Sequence, residues 1–144
     1  MPLFNIYHPE GTFETTESKA ALARDITKVY NLPPFFVTVQ FISLATDSVF
    51  IGGEIKTDKP FIRITIRHIA VHAKEAAPGF TESITGRIDN ALKPHIADKG
   101  YDWEYSVTED PRSFWRINGI APPPFKSEAE LKWRKENKAS EWQT

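Results

Sequence analysis

The chain has 144 residues, 40% of them hydrophobic, and a formal net charge of −1. This length allows one domain with a buried core, and the balanced charge argues against nucleic acid as a partner. The absence of cysteine excludes disulfides, thiolate metal ligands and cysteine nucleophiles. The sequence has neither the roughly 18 consecutive apolar residues of a membrane span nor a signal peptide, so we expect a cytoplasmic protein that binds no membrane.

The first part of the chain has the pattern of a β-α-β unit over residues 2–45. Pro2 to Tyr7 alternates apolar and polar residues, which predicts a strand. Thr15 or Thr16 can cap a helix whose apolar residues recur with helical spacing at Leu22, Ile26 and Val29. A second strand is predicted from Phe36 to Leu44.

The same pattern recurs over residues 60–107. Phe61 to Ile69 predicts a strand with isoleucines on one face, a helix capped at Thr81 has apolar residues at steps of four, and Tyr101 to Val107 predicts a last strand. Between the two units, Ser48 to Ile55 contains Gly52 and Gly53, which indicate a bulge or a tight turn.

The two units predict an α+β fold with a four-stranded mixed sheet and two helices on one face. Because the other sheet face has no cover, we expect a homo-oligomer. Three prolines, Pro122 to Pro124, end the predicted domain, which covers residues 1–124. Ser127 and Glu130 have the spacing of a capping box and predict a helix in a C-terminal tail over residues 125–144.

Pro2 is the first candidate for catalysis. Aminopeptidases remove an initiator methionine that precedes a small residue, and removal of Met1 would leave the secondary amine of Pro2 at the head of a strand. Partial burial disfavours the charged form of an amine, so this nitrogen could act as a base near neutral pH. The alternative is that Pro2 merely accompanies methionine removal.

Arg63 and Arg67 share the strand face opposite the isoleucines, where they could hold a carboxylate or form surface ion pairs. Tyr105 could donate to an enolate or carbonyl oxygen, and Tyr30, at the end of the first helix, could reach a pocket or only pack. A pocket wall and a subunit interface are both compatible with the mixture of aromatic and polar residues at Trp115, Arg116 and Asn118. The histidines form no metal motif, and the sequence indicates no cofactor.

The leading Pro2, the two units of about sixty residues and the arginine near the end of the third main strand resemble the tautomerase superfamily. The segment from Ser48 to Gly53 and the sequence Trp103-Glu104-Tyr105 are most similar to its double-length branch, which includes cis-3-chloroacrylic acid dehalogenase. This resemblance spans about residues 2–124. It implies a homotrimer that binds a small carboxylate in a pocket containing Pro2.

The resemblance also implies roles for single residues. Arg67 falls on the first family arginine, whereas Ala70 stands at the second, so that His72 or Arg63 would have to replace it. Tyr30 corresponds to a histidine at the helix end, and Tyr105 matches the family tyrosine. We therefore expect Pro2 and Arg67 to share one cavity.

The water-activating glutamate of the dehalogenases has no counterpart between Trp115 and Asn118. Hydrolytic dehalogenation would therefore lack its general base. We expect tautomerisation of a small 2-oxo acid or an enol carboxylate, with Pro2, Arg67 and Tyr105 as catalytic residues and with weak hydratase activity in addition. The alternatives are a non-catalytic trimeric binding protein with this fold and a dehalogenase-like hydrolase.

Overall fold

Two β-α-β units build the computed structural model, which describes residues 1–70 and 72–143. Its helices and main strands lie close to the predicted positions and are followed by a C-terminal helix. The elements are, in chain order, β1 (Leu3–Pro9), α1 (Thr16–Val29), β2 (Thr38–Leu44), β3 (Phe50–Ile51), β4 (Glu54–Ile55), β5 (Phe61–His68), α2 (Phe80–Leu92), β6 (Asp102–Glu109) and α3 (Glu128–Glu136).

The four long strands form one sheet in the order β2-β1-β5-β6. Strands within each unit are parallel, and the two units meet where β1 pairs antiparallel with β5. In that register Leu3 lies opposite Arg67. The predicted mixed sheet with two helices on one face is therefore confirmed, and the antiparallel junction brings the start of β1 beside the end of β5.

The core fills the space between the helices and one face of the sheet. Its fully buried residues come from alternate positions of β1 and β5 and from one side of each helix: Phe4, Ile6, Leu22, Ile26, Ile62, Ile64, Ile66, Ile88 and Leu92. On the opposite face of the sheet, Arg63 and Arg67 are exposed. Alternation along the strands therefore separates an apolar face from a polar face.

Two element boundaries differ from the predictions. A short 3-10 turn occupies Pro34–Phe36, so the second strand begins at Thr38 rather than Phe36. The helix α2 begins at Phe80 and not after Thr81, because Gly79 is in the left-handed conformation with φ of 81° and serves as its N-cap. The predicted cap of α1 is confirmed at Thr15, whose side chain accepts from the Ser18 backbone N–H.

The short strands β3 and β4 form a hairpin that is separate from the four-stranded sheet. Gly52 and Gly53 make the turn with φ of 64° and 89°, values that glycine adopts without strain. Three apolar residues of this hairpin remain exposed, namely Phe50, Ile51 and Ile55. The hairpin is therefore a surface available for packing against another molecule.

The C-terminal helix α3 packs against its own protomer. The predicted helix is confirmed, and Ser127 caps it by accepting from the Glu130 backbone N–H, but the Glu130 side chain accepts from the Lys126 N–H rather than from that of Ser127. Trp133 is fully buried in a second apolar cluster with Leu32, Phe36 and Trp115.

No helix within the described residues has both the length and the hydropathy needed to span a membrane.

Candidate active site

Pro2 is buried and forms part of the wall of a cavity of about 470 Å³. It precedes β1 and lies on the face that continues with Phe4 and Ile6, which is the face that carries the helices. The end of β5 lies beside the start of β1 because the two strands are antiparallel. The helix α1 connects the parallel strands β1 and β2, so its end returns to the start of β1. Both ends border the cavity. The polar residues that line the cavity beside Pro2 are Tyr30, Asn31, His68, His72, Arg87 and Lys126.

Tyr30 and His68 form a hydrogen-bonded pair in this cavity. The Tyr30 hydroxyl oxygen lies 2.5 Å from His68 Nε2. Burial raises the pKa of Tyr30 well above its ordinary value, while the positive charge of Arg87 acts in the opposite direction. Burial lowers the pKa of His68 to about 4. The pair thus combines a protonated phenol with a neutral imidazole, two groups that can donate to or accept from a bound oxygen.

Two cationic side chains border the cavity. Arg87 on α2 donates from Nη1 to the Val29 carbonyl oxygen at 2.8 Å. Lys126 Nζ lies 5.2 Å from the centre of the Phe125 ring. The cavity lining that the structure describes contains no aspartate or glutamate side chain. Such a lining favours an anionic ligand.

Met1 precedes Pro2 and lines a different, smaller cavity together with Leu3 and Arg67. Burial lowers the pKa of the Met1 amino group to about 4, the positive charge of Arg112 acts in the same direction, and Glu130 opposes them. Arg112 is held in place because Nη1 donates to the Ala70 carbonyl oxygen at 3.0 Å. The next backbone nitrogen is that of Pro2, which is itself buried. Burial at this position would disfavour the charged form of an amine.

Arg67 lies on the other side of the sheet, so the expectation that it shares a cavity with Pro2 is wrong for the protomer. It lines a separate cavity of about 260 Å³ with Leu3 and Asp110. Its guanidinium forms a two-pronged ion pair with Asp110, at 2.9 and 3.0 Å. The reason is alternation: Arg67 is paired with Leu3, and the residue before Leu3 points to the opposite face.

Arg63 and Tyr105 are also outside the cavity. Arg63 is exposed on the same face as Arg67 and is paired with Glu104. Tyr105 lies on the helix side, where its hydroxyl donates to Asp89 Oδ1 at 2.9 Å. Burial and this contact raise the pKa of Tyr105 to about 12. The Tyr105 hydroxyl is therefore already used as a donor within the protomer.

The predicted pocket wall at residues 115–118 is part of the second core and of a turn. Trp115 is buried against Phe36, with ring centres 4.7 Å apart. Arg116 donates to the Trp115 carbonyl oxygen at 2.8 Å, and Asn118 has φ of 50° in the turn between Ile117 and Ile120. None of the three lines the cavity of Pro2, whereas the predicted binding residues Tyr30 and His72 do.

Sequence reasoning missed His68, Arg87 and Lys126. A signal existed for His68, because it continues the alternation of Ile64 and Ile66 and must share their face. For Arg87 the signal was weaker: it follows Ile84 by three residues, which places it beside the buried side of α2.

No group of three histidine, aspartate or glutamate side chains among the described residues could hold a metal ion.

The chain is similar to known proteins over nearly its whole length. The family model described as "Putative oxalocrotonate tautomerase enzyme" matches residues 1–138. The structure of RhCC from Rhodococcus jostii is 33% identical, with a TM-score of 0.89 and with 97% of this chain and 99% of that chain covered. A probable enzyme from Aspergillus fumigatus is 41% identical, with a TM-score of 0.87 and coverage of 99% and 98%.

A more distant structure has the same fold. N1, a member of the cis-3-chloroacrylic acid dehalogenase family, is 19% identical, with a TM-score of 0.62 and with 94% of this chain and 97% of that chain covered. A comparison with curated protein sequences gives no match. The sheet, the paired β-α-β units and the match over residues 1–138 agree with one another, and the chain belongs to this oxalocrotonate tautomerase family within the tautomerase superfamily.

Proposed function

We propose that the protein is a tautomerase that transfers a proton on a small 2-oxo acid or its enol, with the imino nitrogen of Pro2 as the base. The observation that carries this proposal is the position of Pro2, which is buried in the wall of a cavity that also holds the Tyr30–His68 pair. The proposal requires removal of Met1, because an acylated nitrogen has no basic lone pair.

The buried setting supports the role of a base. The Met1 amino group already has its pKa lowered to about 4 by burial, with a contribution from Arg112. The Pro2 nitrogen is one residue further along the chain and would be disfavoured in its charged form for the same reasons. A general base of this kind contributes about 10²- to 10⁴-fold to a rate.

The reaction needs only one proton. In the ketonisation of an enol, Pro2 accepts the proton of the enol hydroxyl and returns it to the neighbouring carbon, while the double bond moves from carbon to oxygen. In this step His68 carries its proton on Nε2 and donates it in a hydrogen bond to the Tyr30 oxygen, so that the Tyr30 O–H donates to the substrate oxygen on which charge develops. Arg87, whose charge acts on Tyr30, favours the same oxygen electrostatically.

The test is the ketonisation of phenylenolpyruvate by protein whose loss of Met1 has been verified by mass spectrometry. We expect the Pro2→Ala variant to lose at least about 10²-fold in kcat. Pro9→Ala is a matched control, because Pro9 lies at the other end of β1 and lines a different cavity. Full activity in Pro2→Ala would contradict the proposal, and an intact Met1 in the natural protein would favour a non-catalytic binding protein.

We also propose that the protein assembles as a homotrimer through the sheet face opposite the helices and the β3–β4 hairpin. The apolar residues of the hairpin are partly exposed in the protomer, with 56% exposure for Phe50 and 43% for Ile51. Burial of this surface against a second copy would remove apolar area from water, which is favourable.

A further inference from the structure

Beyond the proton transfer proposed above, the segment between the proline run and α3 contains a cation with an unusual backbone conformation. Lys126 has φ of 62°, in the left-handed region that residues with a side chain rarely adopt. Its side chain is exposed, and together with Phe125 it lines the cavity that contains Pro2. Backbone strain of this kind persists only where the surroundings hold it in place, and it clusters at functional sites.

A buried carboxylate holds this conformation. Glu130 is only 3% exposed, and its Oε2 accepts from the Lys126 backbone N–H at 2.6 Å. Within the described residues, the other oxygen of Glu130 is buried without a hydrogen-bond partner. A glutamate at this position of a helix ordinarily caps the backbone N–H of the capping residue, here Ser127, whereas Glu130 bonds to the residue before it.

The lysine side chain is available for a ligand. Among the described residues, Lys126 forms no ion pair, and its Nζ lies 5.2 Å from the centre of the Phe125 ring. Both residues border the same cavity, whose lining contains no aspartate or glutamate in the part of the chain that the structure describes. A cation at such a border attracts an anion from solvent.

We propose that Lys126 binds the carboxylate of the substrate and that Glu130 is its positioning residue. This inference rests on the proposed function for the identity of the substrate, a 2-oxo acid. It assigns a specificity role to the segment that precedes α3. Lys126 would not contribute to the binding of a neutral ester of the same acid.

The experiment compares phenylpyruvate with its methyl ester in Met-free protein. We expect Lys126→Met to raise the KM of the acid about fivefold at low salt, the effect of one partly exposed ion pair, and to leave the KM of the ester unchanged. The difference should shrink at high salt because exposed charges are screened. Lys126→Arg should restore the KM, and Lys132→Met, at an exposed lysine of α3 outside the cavity, is the matched control.

Two further variants separate binding from folding. Lys126→Gly removes the cation and adopts positive φ without strain, so it should raise the KM of the acid while raising the melting temperature. Glu130→Gln keeps an acceptor for the Lys126 N–H and should preserve the KM of the acid, whereas Glu130→Ala should raise it. An unchanged KM of the acid in both Lys126→Met and Lys126→Gly would overturn the proposal.

Calorimetric titration of phenylpyruvate distinguishes this proposal from the proposed function. If turnover does not depend on Pro2 but the Kd of phenylpyruvate rises in Lys126→Met, the tautomerase mechanism fails and the Lys126 site stands. If turnover depends on Pro2 and neither KM nor Kd responds to Lys126, the mechanism stands and the Lys126 site fails.

Discussion

The hydroxyl oxygen of Tyr30 lies 2.5 Å from Nε2 of His68, so the end of α1 and the end of β5 are joined at the cavity that contains Pro2. The two rings are also packed edge to face, with centres 5.3 Å apart. Two residues separated by 38 positions in the chain thus form one polar unit in the wall of the cavity. In the proposed reaction this pair supplies the hydrogen-bond donor for the substrate oxygen.

Removal of the Tyr30 hydroxyl should weaken catalysis more than binding. We expect Tyr30→Phe to lower kcat for phenylenolpyruvate about 10²-fold with little change in KM, because the hydrogen bond strengthens as charge develops on oxygen. Steady-state kinetics measure both constants. Tyr7→Phe is the control, since Tyr7 lies on the other face of β1 and lines another cavity. A kcat of Tyr30→Phe equal to that of the parent protein would exclude Tyr30 from the mechanism.

Arg87 and Arg67 should behave differently when each is replaced by methionine. Arg87 borders the cavity of Pro2, so we expect Arg87→Met to lower kcat/KM at least about tenfold. Arg67 is exposed and paired with Asp110 on the other sheet face, and such pairs contribute about 1 kcal/mol or less to stability. Arg67→Met should therefore retain kcat/KM. The reverse order of effects would restore Arg67 to the site and remove Arg87.

Most of the fold could be predicted from the sequence because its signals are local. Leu22, Ile26 and Val29 recur with helical spacing, and all three are buried. In β5 the strict alternation of isoleucines with polar residues defines the two faces of the strand. The start of α2 was predicted wrongly because Thr81 is a common capping residue, whereas the helix is capped by Gly79 in the left-handed conformation.

The site was harder to predict because residues from distant parts of the chain line it. Alternation along β1 places Pro2 on the face of Phe4 and Ile6, and alternation along β5 places Arg67 opposite the isoleucines. The family resemblance nevertheless put Pro2 and Arg67 in one cavity, and the pairing of Leu3 with Arg67 agrees with the alternation instead. The proposed role of Lys126 could not be predicted because the place of the segment before α3 at the cavity is a tertiary feature, whereas the bond from the Lys126 N–H to Glu130 is local.

Burial of His68 should make stability depend on pH. The pKa of His68 is lowered from 6.5 to about 4 by burial, so between these values the unfolded chain binds a proton that the folded chain does not. The free energy of unfolding should therefore fall as the pH decreases from about 6.5 to about 4, by about 3 kcal/mol for this group. Urea unfolding across this range, in the parent and in His68→Gln, measures the contribution. Equal pH dependence in both proteins would contradict it.

The exposed hairpin should mediate assembly. We expect the parent protein to have the mass of a trimer in light scattering, and Phe50→Asp to shift it toward the monomer, because a charge at this apolar residue disfavours burial. Phe114→Asp is a comparison at another exposed aromatic residue, outside the hairpin. A monomeric parent protein, or a trimer unaffected by Phe50→Asp, would argue against an interface at the hairpin.

The central claim is that a neutral imino nitrogen at Pro2 acts as the base, and the pKa of that nitrogen tests it most directly. Protein without Met1 and with ¹⁵N in proline can be titrated by NMR while the Pro2 signal is followed. We predict a pKa below about 7, lower than the 7.7 to 8.0 of an ordinary α-amine. A pKa at or above that of an ordinary α-amine would mean that Pro2 is protonated at neutral pH, and it would contradict the role of Pro2 as a base.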